Sequence, residues 1–344
     1  MFQRIVPTQG LSFFHRKQFT GTDSPGHLLD PNSNPSRFCC SHPHLNDLAE
    51  PGRYTYMSAI DLHAHSTASD GTFTPTELVR HARDIGLKAL ALTDHDTTNG
   101  LAEAMQAGER FGVEVIPGCE LSVEFRPGFM HILGLWVPVD APHLNAVLKN
   151  LREKRGTRNL RIIEKLNALG VDITYQEVLD LAGDATVGRP HFAQVLMRKG
   201  IISSINEAFA VYLGATGSAY VPKDKLTPDQ AIATLKEEGA TIILAHPYSL
   251  DLEGEAEAKE IEHLKDLGID GLEAYYSLHS PEQTQKYLDL CARFDLLPSS
   301  ASDFHGTVKP SIELGIGKGN LDAPYAILQA FKDRRKKQSN TGDK

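Results

Sequence analysis

From residue 58 onward, short apolar runs alternate with helical stretches, and that alternation confines the chain to a parallel sheet or barrel. Strands are predicted over 58–62, 88–93, 113–116, 241–244, 271–274 and 297–301. Two more, 120–125 and 131–137, are expected to pair as a hairpin around Arg126-Pro127-Gly128. Helices are predicted over 74–85, 99–111, 256–267 and 281–294. The first opens on a capping box, Thr74-Pro75-Thr76-Glu77, with proline at the first helical position.

The rhythm breaks in the middle. Residues 143 to about 213 hold a long helix to about Ala168, a second capping box at Thr174 and Glu177, and two shorter helices, with no convincing strand. The expected organisation is therefore a barrel in two parts, 57–137 and 223–333, separated by a helical insertion over 138–222. Residues 1–56 are rich in Pro, Ser, Asn, Gly and His without a sustained period, and read as a disordered tail or a mis-assigned start ahead of Met57. Residues 334–344 read as a frayed tail.

Composition narrows the partners. The 344 residues carry a net charge of −9, so bulk electrostatics disfavour binding to long duplex nucleic acid, while a small phosphorylated substrate needs a locally positive site. No run of about 18 apolar residues predicts a membrane span, and the first residues lack the apolar stretch of a secretion signal. The 4 cysteines include no CxxC pair, and a reducing cytoplasm is expected. The oligomeric state is not legible.

The histidines carry the chemistry. His63 and His65 stand two apart at a strand end, so both rings face one side. His42 and His44 have the same spacing but no preceding strand, and no role is assigned to them. Further clusters follow or open other strands: Asp94-His95-Asp96, Cys119-Glu120, His131, His246 and Asp303-Phe304-His305. In a parallel barrel every strand C-terminus reaches one mouth, where such groups converge. Histidines and carboxylates without thiolates suit manganese, zinc or iron, and Cys119 reads as a small buried residue. Asp70, in the loop after the first strand, reads as a ligand ahead of a turn residue. Asp94 and Asp96 are open between orienting a ligand and capping a turn. Tyr275, Tyr276 and His279 either line the mouth or pack beneath it. His81, His143 and His263 read as surface groups, and Gly315 to Gly319 as a turn rather than a phosphate loop.

The run Asp61-Leu-His-Ala-His-Ser-Thr-Ala-Ser-Asp-Gly71 resembles the first motif of the PHP (polymerase and histidinol phosphatase) superfamily. Thr93-Asp-His95, Pro117-Gly-Cys-Glu120, His131, Ala245-His-Pro247 and Ser302-Asp-Phe-His305 resemble its later motifs in order, over about residues 58–310. The insert with Gly188-Arg-Pro-His191 is similar to the branch that dephosphorylates nucleoside 3',5'-bisphosphates and trims short RNA from its 5' end. The resemblance implies a distorted (βα)7 barrel with two or three divalent ions, manganese first, with zinc, iron or magnesium as alternatives. It implies one ion on His63, His65, Glu120 and Asp303, and a second sharing Glu120 with His131 and His246. A third would lie on Asp70, His95 and His305. Glu120, Asp303 and His305 are the expected catalytic residues. Arg189 and His191, at a helix start, are the candidates for gripping a second phosphate of a nucleotide or short RNA. Histidinol-phosphate hydrolysis and a non-catalytic metal-binding scaffold are the competing readings.

Overall fold

A computed structural model describes residues 58–342, apart from 184–186 and 223. The expectations for residues 1–56, including Cys39, Cys40, His42 and His44, lie outside the described residues. β1 (Ile60–Ala64) leads into α1 (Pro75–Asp84), β2 (Ala89–Leu92) into α2 (Leu101–Phe111), and β3 (Glu114–Val123) turns back as β4 (Met130–Leu135). The chain then leaves the sheet through α3 (Pro142–Ala168), α4 (Tyr175–Ala182), α5 (Arg189–Arg198) and α6 (Ile205–Ala208). It returns through α7 (Pro228–Glu237), β5 (Thr241–Leu244), α8 (Gly254–Leu267), β6 (Gly271–Tyr276), α9 (Pro281–Phe294), β7 (Leu297–Ala301) and α10 (Ala326–Gly342).

The seven strands pair in sequence order. β1 and β7 meet just past their ends, through a bridge between Ala64 and Phe304 and the bonds His65 N to Phe304 O (2.9 Å) and Asp303 N to His63 O (3.0 Å). The sheet is thereby a nearly closed barrel, as the motifs implied. All pairings are parallel except those of β4, which runs antiparallel to both β3 and β5.

Side-chain alternation divides the apolar residues of the strands. Leu90 and Leu92 of β2 pack with Leu78 and Ala82 of α1 and Leu101 and Ala104 of α2. Ala89 and Ala91 instead join Ile60 and Leu62 of β1 in a second cluster that takes in Leu328 and Phe331 of α10. The insertion has a cluster of its own, built on Ile162, Leu166, Ile173, Phe192, Leu196 and Leu213. Helix α3 belongs to both: Leu144 and Leu148 sit in the barrel core, and Ile162 and Leu166 in the insertion core.

Three elements differ from the sequence expectation. The strands expected at 113–116 and 120–125 are one, because Pro117 and Gly118 stay in register with Leu92 and Leu135. α7, opened by a Thr227–Gln230 capping box, was not anticipated. α10 runs to Gly342 rather than fraying from 334: Arg334 donates to the Asp295 carbonyl at 2.8 Å, and Arg335 to the Gly239 carbonyl at 2.8 Å. Those carbonyls end neighbouring helices, so the polar sequence of α10 has partners.

Candidate metal centre

The barrel mouth gathers all nine expected ligand residues. His63 lies near the end of β1 and His65 just after it, β2 is followed by His95, and β5 by His246, while Asp303 and His305 follow β7. His131 stands at the start of β4, and only because β4 is inverted does a strand beginning reach the same rim. Asp70 is carried by the loop after β1. Asp94 holds that loop, accepting the Ser66 N–H at 2.8 Å and the hydroxyls of Ser66 and Ser69 at 2.6 Å each. Asp96 accepts the Ser122 N–H at 3.0 Å and faces Arg155 at 3.3 Å. Asp94 therefore positions the loop that carries Asp70, while Asp96 lines a cavity together with Asp70, His95 and His131.

The ligand atoms fall into three groups. His63 Nε2 lies 3.0 Å from His65 Nε2 and 3.2 Å from Glu120 Oε2. Asp303 Oδ1 is 3.3 Å from His65 Nε2 and 3.7 Å from His63 Nε2. Glu120 turns its other oxygen to His131 Nδ1 at 2.7 Å and His246 Nε2 at 3.1 Å. In the third group Asp70 Oδ1 is 3.3 Å from His305 Nε2, and Asp70 Oδ2 is 3.9 Å from His95 Nε2. His65 Nδ1 also faces this group, 3.7 Å from Asp70, a contact absent from the ligand set the motifs implied.

Two outer residues, Glu273 and Lys309, were missed in the sequence. Glu273 is fully buried in β6 and accepts from His63 Nδ1 at 2.7 Å and from the His246 N–H at 2.6 Å. The first bond fixes the His63 tautomer so that Nε2 presents a lone pair to the cluster. The second holds His246 at φ 26°, a backbone state unfavourable for a side-chain residue. Asp303, at φ 57°, gives its outer oxygen to the Tyr276 hydroxyl at 2.7 Å and to Lys309 at 2.6 Å. Tyr276 thus both lines the mouth and orients a carboxylate, while His279 is buried with its Nδ1 on the Ala274 carbonyl at 3.1 Å.

The electrostatics follow from this crowding. Burial pushes the Glu120 carboxyl up, but His95, His63 and His131 hold it well below its ordinary range. Burial drives the His65 imidazole down, yet Asp303 and Glu120 outweigh it and raise the ring to about 9. His131 goes the other way, to about 4, because its burial outweighs Glu120. Glu120 Oε2, His95 Nδ1 and His131 Nδ1 are buried without a well-formed hydrogen bond, although His95 and His131 lie 2.9 and 2.7 Å from the Glu120 oxygens. The distances are short but the angles do not suit a shared proton. Electron-pair donors aimed at common points in this way fit divalent cations.

Two cavities flank the cluster, and His95 and His131 line both. One, of about 530 Å³, is walled by Phe129, Tyr248, Tyr276, Leu278 and Lys309. The other, of about 460 Å³, runs to the insertion and is walled by Arg152, Arg155, Arg158 and Arg189. Arg189, anticipated from sequence, donates to the Leu213 carbonyl at 3.0 Å while facing this cavity. His191 accepts the Gly188 N–H on Nδ1 at 3.0 Å and so caps α5. Cys119 is buried within the apolar core, as expected.

A model of the PHP domain matches residues 61–213. The chain is 38% identical to a 5'-3' exoribonuclease of Haemophilus influenzae, over 79% of this chain and 98% of that one. It is 32% identical to a 3',5'-nucleoside bisphosphate phosphatase of Chromobacterium violaceum, over 75% of this chain and 91% of the relative. A solved structure from Bifidobacterium adolescentis, described as a metal-dependent phosphoesterase, superposes with a TM-score of 0.61 at 33% identity, covering 74% of this chain and 90% of that one. With a relative of this identity matched along almost its whole length, and the nine motif residues assembled at one barrel mouth, the chain belongs to the PHP family.

Proposed function

We propose that the chain is a metal-dependent phosphoesterase of nucleotides, removing the 3'-phosphate of nucleoside 3',5'-bisphosphates or trimming short RNA from the 5' end. The observation that carries this reading is the adjacency of a histidine–carboxylate cluster and an arginine-walled cavity. The names of the two relatives point the same way. Divalent ions, when bound, supply Lewis acidity toward a phosphate ester and acidify water enough for attack at neutral pH. The His and carboxylate donors suit manganese, and also zinc or iron.

The residues divide the work. Glu120 gives one oxygen to each of two ligand groups and keeps them a fixed distance apart. Asp303 turns one oxygen inward while Lys309 and Tyr276 hold the other. His305, with Nδ1 on the Asp303 carbonyl at 2.9 Å, presents Nε2 to Asp70. Arg189 offers a planar guanidinium to the substrate's second phosphate. Among the described residues, Cys119 and Cys291 are buried free thiols, which accords with a cytoplasmic setting.

The test measures release of phosphate from a nucleoside 3',5'-bisphosphate and from histidinol phosphate, and of mononucleotides from a 5'-phosphorylated oligoribonucleotide, by manganese-loaded protein. Turnover of either nucleotide, lost in Glu120→Gln, is the expected result. Release from histidinol phosphate alone, or full turnover by a metal-replete Glu120→Gln protein, overturns the reading.

A further inference from the structure

We infer that the middle of α3 is a track for the sugar-phosphate backbone of a single-stranded oligonucleotide, contacted in turn by Arg158, Arg155 and Arg152. The inference deepens the nucleotide reading above and rests on it for the identity of the anion.

The middle of α3 lies between the two apolar cores. Leu148 is the last α3 residue buried in the barrel core, and Ile162 the first buried in the insertion core. Between them Arg152, Arg155 and Arg158 recur every three residues, a spacing that puts them on one side of a helix. All three line the cavity whose far wall includes Asp70, His95 and His131. The row therefore faces the metal centre across the cleft.

Exposure is graded along the row. Arg158 is 6% exposed, Arg155 is half-buried, and Arg152 is exposed. Arg158 donates from Nη2 to Asn159 at 2.7 Å, but its buried Nε has no hydrogen-bond partner. Burial, with Arg155 and Arg189 close by, brings its guanidinium down to about 10, still charged at neutral pH. A buried guanidinium that lines the cavity beside two like charges is an arrangement that an anion in the cavity offsets. Arg155 faces the Asp96 carboxylate at 3.3 Å, which leaves the cavity an excess of positive charge.

Arg152 and Arg158 are six residues apart, which spans about 9 Å along a helix. That span matches more than one phosphate of an extended strand, and the row is read as addressing successive phosphates. The buried end adjoins Gly188 and Arg189, and the exposed end opens to solvent. A chain longer than a mononucleotide would lie along the row and leave past Arg152.

The test is fluorescence anisotropy of a 3'-labelled, 5'-phosphorylated tetraribonucleotide with phosphorothioate linkages, titrated with manganese-loaded full-length protein. Arg152→Gln and Arg155→Gln should each weaken binding about fivefold to tenfold. Each should also flatten the slope of log Kd against log salt by about 0.7, the value for one lost contact to a single strand. Arg155→Lys should restore the slope, and Arg161→Gln, on the exposed face of the same helix, should match the parent. Unaltered affinity and slope in the folded Arg152→Gln/Arg155→Gln double variant overturns the track. So does equal weakening for inorganic phosphate, or tighter binding of a duplex. Failure of the phosphoesterase reading is distinguishable: turnover would be absent while the arginine-dependent salt slope persisted.

Discussion

Glu273 accepts the ring N–H of His63 at 2.7 Å with one oxygen and the backbone N–H of His246 at 2.6 Å with the other. A single buried carboxylate so sets the orientation of two candidate ligands on different strands. Glu273→Gln should lower metal affinity by about 10- to 100-fold, the usual loss when such a partner is changed. Metal content after dialysis is the readout, with circular dichroism as the control for folding. Full retention of metal would show that His63 does not depend on Glu273.

Metal uptake should release protons. The His65 ring titrates at about 9 in the metal-free protein, above the ordinary value of 6.5. The stability this raised group contributes is fully present below pH 6.5 and is lost as pH rises through about 9. A metal at His65 must displace that proton, so metal affinity should climb between pH 6.5 and 9. His131, at about 4, is already neutral there and adds nothing to the slope. Calorimetric titrations in buffers of different ionisation enthalpy measure the released proton, and a pH-independent affinity across that window would contradict the assignment.

Phe331 joins α10 to the barrel strands. It is 1% exposed, and a Cβ placed on Gly271 would come within 2.8 Å of its ring. Phe331→Ala should cost about 3–5 kcal/mol, the range for emptying an aromatic site in a packed core. Urea unfolding of the purified variant tests this, and a loss below about 1 kcal/mol would mean that the strands close up without the ring.

Gly156 is an interior residue of α3, and a Cβ there meets nothing within 4 Å. Gly156→Ala should therefore stabilise the protein by about 0.5–1 kcal/mol through helix propensity alone. The same unfolding measurement decides it. A destabilised variant would mean that the methyl group obstructs something the geometry leaves open.

Much of the centre was legible because metal ligation leaves a positional signature. His63 and His65 share a side, and Asp303 and His305 repeat the spacing after the last strand, so the barrel order could be read from where polar residues interrupt apolar runs. Glu273 was not read, yet a carboxylate inside the apolar run Gly271-Leu272-Glu273-Ala274 was its available signal. Buried charge is costly unless paired, and the partners lie 210 and 27 residues away. The α3 arginines were missed for a different reason. On a long helix a charged row usually faces water, and only the fold shows that this stretch faces a cleft. α10 was misjudged because its polar residues find partners in helix ends distant in sequence, which no local pattern reports.

Helix α3 spans 27 residues and is rooted at one end in the barrel core and at the other in the insertion core. It works as a beam built into two walls. The insertion cannot swivel on this connection as a loosely tethered lobe would, because any such movement must flex the stretch of continuous helix between Leu148 and Ile162, about 20 Å long. Cleft width is then governed by the stiffness of one secondary-structure element.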